Sequence, residues 1–364
     1  TEAFLDAARE LLAVPSTADR PGELGRALDF VLDFVGNGFT VERFDSGGKP
    51  SALLYPGPAR PEFRVILNAH LDVVPAPPEQ FLPRLSDGRL YARGAQDMKV
   101  SALVLARVFR ETAGTAGYPL ALQLVTDEEV GGRDGTLHQL ERGVHGRFVV
   151  IGEHSGLRVV TDSQGMITAN LQATGRAGHS AYPWLGDNAL VKLERSLARL
   201  LAAYPIPARE EWRTTVNVAR IETPNQARNQ IPDYAEAWLD IRYPSEDPDL
   251  NGKTVPELTA YLASFCEPGV TPVIGQADPP HHADRARPEV GALQRAARGQ
   301  GYDADFLRKH GAADARFYYQ RGTDAVIFGV GGDGQHSAQE YAEIATIEPY
   351  YRALTDFLLD PGSS

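Results

Sequence analysis

Three carboxylates, Asp127, Glu128 and Glu129, follow one another directly after the apolar run "PLALQLVT" at 119–126. Acids that close together at the mouth of a buried strand repel each other and resist desolvation. They need a counter-charge. Four other segments offer groups of the same kind. His70 and Asp72 form an H-x-D in "NAHLDVVP", Asp97 lies in "ARGAQDMK", Glu153 in "VIGEHSG" and His336 in "GVGGDGQHSAQE". Taken alone, each has an ordinary reading: a hydrogen-bonded turn pair for His70 and Asp72, a helix N-cap for Asp97. Taken together, five loops each deliver a His or a carboxylate while the other loops are quiet. Imidazole and carboxylate without thiolate suit Zn²⁺, and also Co²⁺ or Mn²⁺. One ion would leave too many acids unneutralised. Two divalent ions sharing a bridging carboxylate balance the set, an arrangement suited to metal-assisted hydrolysis. Neighbouring residues at a strand end point in opposite directions, so Glu128 and Glu129 should divide the labour. One would reach the metals and the other would face the reacting carbonyl.

The elements that must place these groups read as α/β. Residues 2–13 and 22–36 have the apolar period of amphipathic helices. Strand-like segments follow at 40–44, 51–55 and 64–69, then a largely apolar helix at 98–114. The runs 119–126 and 148–153 are short and continuously apolar, as strands covered on both faces are. Strands alternating with helices indicate a layered α/β domain. From about 165 the rhythm changes. A strand at 166–175, a helix at 187–203, strands at 214–222 and 234–243, a helix at 254–266 and a strand at 270–275 give the order β-α-β-β-α-β of a split ferredoxin-like unit. The proline-rich "ADPPHHAD" at 277–284 reads as a return linker to a helix at 286–299, a strand at 324–330 and a helix at 347–359. The expectation is an α/β sandwich domain over 1–164 and 276–364, with an α+β domain inserted at 165–275.

Composition bounds the partners. The chain has 364 residues, 43% hydrophobic and 23% charged, as globular domains do. A net charge of −12 argues against nucleic acid as a partner. No window approaches eighteen apolar residues, so no membrane span is expected. Cys266 is the single cysteine, which excludes an internal disulfide and a thiolate-rich metal site. The N-terminal stretch lacks the basic and apolar regions of a signal peptide, and cytoplasm is the expected compartment. Because the chain opens on Thr1 and not Met, a removed leader stays open.

The motifs "HLDVVP", "RGAQDMK", "TDEEVGG", the Gly-Glu at 152–153, "GRAGHSAYP" and the late loop histidine occur in the order found in one family. The chain resembles the dizinc aminoacylases and carboxypeptidases, which include succinyl-diaminopimelate desuccinylase, acetylornithine deacetylase and glutamate carboxypeptidase. The resemblance implies that His70 and Glu153 hold one metal, that Glu129 and His336 hold the second, and that Asp97 bridges both. It makes Asp72 the residue that orients His70, and Glu128 the general base. His179 matches the oxyanion-stabilising histidine, which in several members arrives from a partner subunit through a dimer of the inserted lid domains. Asn229, Arg242 and Arg316, with Tyr182, align with residues that grip the substrate carboxylate and the reacting group. A planar guanidinium fork suits that task. Alone, Arg242 and Arg316 would read as salt-bridge residues.

Some positions depart from the family pattern. Val100 replaces a glycine after the "DMK" lysine, and His154 follows the acidic ligand where a proline or another residue is common. Ala312 and Gly332 stand where the desuccinylase has threonine and asparagine, which counts against succinyl-diaminopimelate as substrate. The expected reaction is hydrolysis of an amide next to a free carboxylate, in an N-acyl amino acid or small peptide. A metal-bridging water would attack and Glu128 would take its proton. The expected assembly is a homodimer. A binding or carrier protein that kept the metals but lost turnover, and a single-metal or metal-free hydrolase, are the other classes. The intact Glu128 and the absence of a G-x-S-x-G argue against them.

Overall fold

The computed structural model describes residues 2–362, which fall into two compact units. The first takes in the chain to Thr161, His282–Arg308 and the residues from Ala313 onward. The second comprises Asp162–His281 and Lys309–Ala312. It is slightly longer at both ends than the 165–275 span, and no sequence signal marks the Lys309–Ala312 excursion.

The first unit is built on a mixed sheet. At its centre four strands run parallel, in the order Leu120–Val125, Phe63–His70, Gly146–Ile151 and Asp324–Ile327. Lys49–Tyr55 and Thr40–Ser46 extend one side antiparallel, and Val159–Ser163 pairs antiparallel with Asp324–Ile327 on the other. Successive side chains of a strand face opposite ways. Accordingly Val65, Leu67 and Ala69 enter one core cluster while Ile66 enters another on the opposite face. Both faces are therefore covered, and every residue of Leu120–Val125 is buried. This explains why the strands read as apolar runs and not as alternations. The larger cluster is completed by the helices Glu2–Leu12, Pro21–Val35, Val100–Thr112, Pro288–Gly299 and Ile344–Leu359. Pro21 opens its helix at a position where the missing N–H costs nothing, and Gly36, at φ +81°, ends it.

A second, smaller sheet in this unit has no counterpart in the sequence reading. Arg84–Ser86, Arg89–Tyr91, Tyr341–Glu343 and Gly332–Asp333 pair antiparallel, so the glycine-rich stretch around His336 is the tip of a hairpin. The strand expected at 324–330 stops at Ile327. The helix expected at 98–114 spans Val100–Thr112, preceded by a tight turn over Ala95–Lys99.

The second unit has the β-α-β-β-α-β order with four antiparallel strands arranged Thr215–Glu222, Tyr234–Tyr243, Gly165–Thr174, Val270–Asp278. One sheet face packs on the helices Ala189–Ala203 and Val255–Ala263. A two-residue ribbon, Gly178–His179 against Gln230–Ile231, lies beyond the sheet. Among the described residues no helix is long and apolar enough to cross a membrane.

Candidate metal centre

The C-terminal ends of parallel strands are where open α/β sheets place ligands, and here the register brings the acids and imidazoles level. His70 ends its strand opposite Val125, three residues before Glu128. Asn68 pairs with Ile151, which puts Glu153 beside His70. Asp97 comes from the turn before the Val100–Thr112 helix, and His336 from the hairpin tip. The result is two triads. His70, Glu128 and Glu153 form one, and Asp97, Glu129 and His336 form the other, with one donor atom from each residue within 4.8 Å of the rest of its triad.

Asp97 joins the triads. Its Oδ1 lies 2.9 Å from His70 Nε2 and its Oδ2 lies 3.5 Å from His336 Nε2. Gln335 also donates its amide to that Oδ2. The helix N-cap reading of Asp97 does not hold: the Val100–Thr112 helix has no side-chain cap, and the carboxylate turns inward. Asp72 has two tasks. Its carboxylate lies 3.5 Å from His70 Nδ1, and its backbone carbonyl lies 3.1 Å from the same nitrogen. The carboxylate also accepts the backbone N–H groups of Glu128 (3.2 Å) and Glu129 (2.9 Å). One acid thus sets both the imidazole and the turn that carries the two glutamates. His336 Nε2 reaches Glu129 at 3.1 Å, from a backbone φ of +59°. A residue with a Cβ pays about 1–2 kcal/mol for that conformation.

Burial dominates the electrostatics. It pushes Glu128 well above the usual carboxylate range, and nearby Glu153 pushes the same way. Burial raises Glu129 too, against a hydrogen bond from His336. Asp97 resists burial: hydrogen bonds from His336 and His70 hold it well below the ordinary value. Burial disfavours charge on His70, but its bonds to Asp72 and Asp97 win and raise it well above the ordinary imidazole. Hydrogen bonds to Asp97 and Glu129 lift His336 to about 10. The carboxylates therefore draw positive charge from whatever stands beside them. Ligand bonds of about 2.0–2.2 Å to imidazole and carboxylate place opposing donors about 4 Å apart, so each triad fits one small dication.

Residues 66–360 match the peptidase family M20/M25/M40. The chain belongs to that family. It is similar to a probable carboxypeptidase of Aspergillus terreus, at 30% identity over 97% of this chain and 86% of the relative. A succinyl-diaminopimelate desuccinylase of Bordetella petrii is 29% identical over 98% of each chain. The fold is shared with a tripeptidase from Staphylococcus aureus (TM-score 0.80, 17% identity, 98% of this chain and 97% of that one). It is shared too with an M20 metallo-carboxypeptidase from Sulfolobus solfataricus (TM-score 0.76, 17% identity, 98% and 99%). Membership makes this chain a hydrolase of a metallopeptidase family, and implies a divalent metal in a centre of this kind.

The substrate-side residues of this M20-family chain are dispersed. In the second unit the ribbon gathers His179, Tyr182 and Asn229: the Asn229 carbonyl accepts from Ser180 N at 2.9 Å, and the rings of His179 and Tyr182 lie 5.7 Å apart. His179 Nδ1 accepts from Ala181 N at 3.1 Å, so the neutral ring carries its proton on Nε2 as an outward donor. Arg242 stands at the far end of the same sheet. It pairs with Met166 in register and forks onto Asp240 at 2.6 and 3.0 Å. Arg316 is 4% exposed, lies 3.8 Å from Asp314 and donates to the Gly131 carbonyl at 2.8 Å. Its guanidinium therefore braces the turn that follows Glu129. Sequence reasoning missed Gln335, Arg93 and Glu340, which all contact the Asp97 turn or its braces. A single sequence offers no sign that separates them from surface polar residues.

Proposed function

We propose that this chain hydrolyses an amide bond adjacent to a free carboxylate, in N-acyl amino acids or small peptides, with two divalent ions, Zn²⁺ foremost. The observation that carries the reading is the pair of donor triads joined by Asp97, one of which contains Glu128. His70 and Glu153 would hold one ion, Glu129 and His336 the other, and Asp97 would be shared by both. Bound there, the ions would supply Lewis acidity and lower the pKa of water. Glu128 takes a proton from the attacking water and returns it to the leaving amine; burial gives it the basicity that this exchange needs. Asp72 keeps Glu128 and His70 in register with each other. His179 offers its Nε2–H to the developing oxyanion. Arg242, Asn229 and Tyr182 are the proposed grips on substrate, and Arg316 supports the catalytic turn from below.

A homodimer is part of this reading. Eight residue steps along the strand lead from Tyr234, at the ribbon end, to Arg242. At about 3.3 Å per residue this is about 26 Å, too far for one inserted unit to offer both His179 and Arg242 to one small substrate. A partner copy supplying His179 removes the difficulty.

The test is a panel of N-acyl amino acids and dipeptides assayed with added Zn²⁺ or Co²⁺, alongside Glu128→Gln. That variant should lose turnover while binding about two ions per chain, as measured by elemental analysis. Wild-type-like turnover by Glu128→Gln would sink the assignment of the base.

A further inference from the structure

We propose that Glu340 is a positioning residue for the metal centre, fixing Asp97 from the hairpin that carries His336. The inference rests on the metal reading above. Glu340 is 2% exposed, and one oxygen, Oε1, accepts two backbone N–H groups, from Gln96 at 3.1 Å and from Asp97 itself at 3.2 Å. The other oxygen takes a bond from Arg93, whose side chain is also buried. Arg93 then donates to the carbonyl of Ser337, the residue after His336, at 3.2 Å.

The hairpin thus grips the 95–97 turn at three places: the Gln335 amide on Asp97 Oδ2, the His336 imidazole on the same oxygen, and Glu340 on the backbone. The first two act on the carboxylate that would ligate. The third acts on the peptide from which that carboxylate hangs. Two N–H donors converging on a single oxygen are held more strongly by a charged acceptor than by a neutral one, and the Arg93 pair makes burial of that charge tolerable. A carboxylate within this distance of Asp97 also repels it. A tie with only a packing role has no need of such an acid, because a buried apolar or amide side chain would avoid the repulsion. The charge is explained if the placement of Asp97, shared by both triads, is what Glu340 secures. Loss of that placement should weaken both ion sites together, because Asp97 faces both.

The experiment uses the full chain stripped of metal by a chelator and titrated with Co²⁺ alone, read by the visible absorption of the bound ion. Glu340→Gln should bind Co²⁺ about 10–100-fold more weakly, the range expected when a partner that orients a ligand is lost. Its spectrum should be altered, and the thermal midpoint of the metal-free protein should stay close to wild type. Glu79→Gln, a nearby acid with no bond to the 95–97 turn, should behave as wild type. Wild-type affinity and spectrum in Glu340→Gln would overturn the proposal. So would a weakening accompanied by an equal collapse of the metal-free fold, which would make Glu340 merely structural. If Glu340→Gln does not fold, Arg93→Lys keeps the charge but loses the planar fork whose two nitrogens reach Glu340 and Ser337 separately. It should weaken Co²⁺ about tenfold, and unchanged binding would overturn the proposal equally. A wild-type chain that takes up no Co²⁺ would overturn the metal reading and this inference with it, whereas a failure confined to the variants leaves the metal reading standing.

Discussion

Glu128 and Glu129 differ by one position and end in different triads, carried by a short helical turn, Glu128–Val130, just past the strand that ends at Val125. The reading of "TDEEVGG" assigns one of the pair to the metals and the other to the reacting carbonyl, whereas the triads include both. Each of the other donors is a His or acid next to an apolar run and is a candidate on that ground. What holds them is not legible in that way. Arg316 aligned with a substrate grip, yet it is buried with Asp314 and spends a nitrogen on the Gly131 carbonyl. Burial holds Asp314 up at about 6 even with Arg316 opposing it. Arg316→Met should therefore cost about 3–5 kcal/mol, the range for removing one member of a buried ion pair, measured by urea unfolding of the metal-free chain. A loss below about 1 kcal/mol would place Arg316 among exposed pairs and restore it as a candidate grip. The braces escaped the sequence because a buried ion pair and a surface one use the same letters.

At the scale of elements, long periodic segments were readable and short pairings were not. Apolar runs and amphipathic periods marked the parallel strands and the main helices to within a few residues. The sheet that carries His336 has strands of two or three residues joined through glycine-containing turns, too short to show a period. The inserted unit was legible from the order of its strands and helices, and its helices also carry start signals that the structure makes visible. The Asn188 side chain accepts from Leu190 N and Val191 N, and Thr254 with Glu257 closes a capping box. Asn188→Ala and Thr254→Ala should each cost about 1 kcal/mol of stability. Neither should alter Co²⁺ binding, since both residues lie outside the unit that holds the triads. A changed Co²⁺ affinity in either variant would show that the second unit's helices reach the centre after all.

For the whole molecule, the question is how many chains make one working site. Arg242 stands at one end of the four-stranded sheet, and His179 lies on the ribbon beyond its other end. If His179 serves a partner, two dead variants should rescue each other. His179→Ala alone should lose about 10²–10³ in rate, and Glu128→Gln nearly all of it. Unfolded together and refolded as an equal mixture, they should recover about a quarter of wild-type activity, since half of the dimers are mixed and each mixed dimer has one complete site. No recovery, with dimers confirmed by light scattering, would put His179 to work within its own chain. The division into two units has a further consequence. In the proposed reading, the metal-holding groups all lie in the first unit, whereas most of the proposed substrate grips lie in the second. On that reading, substitutions in the insert would redraw the guest list while leaving the metal-holding groups untouched.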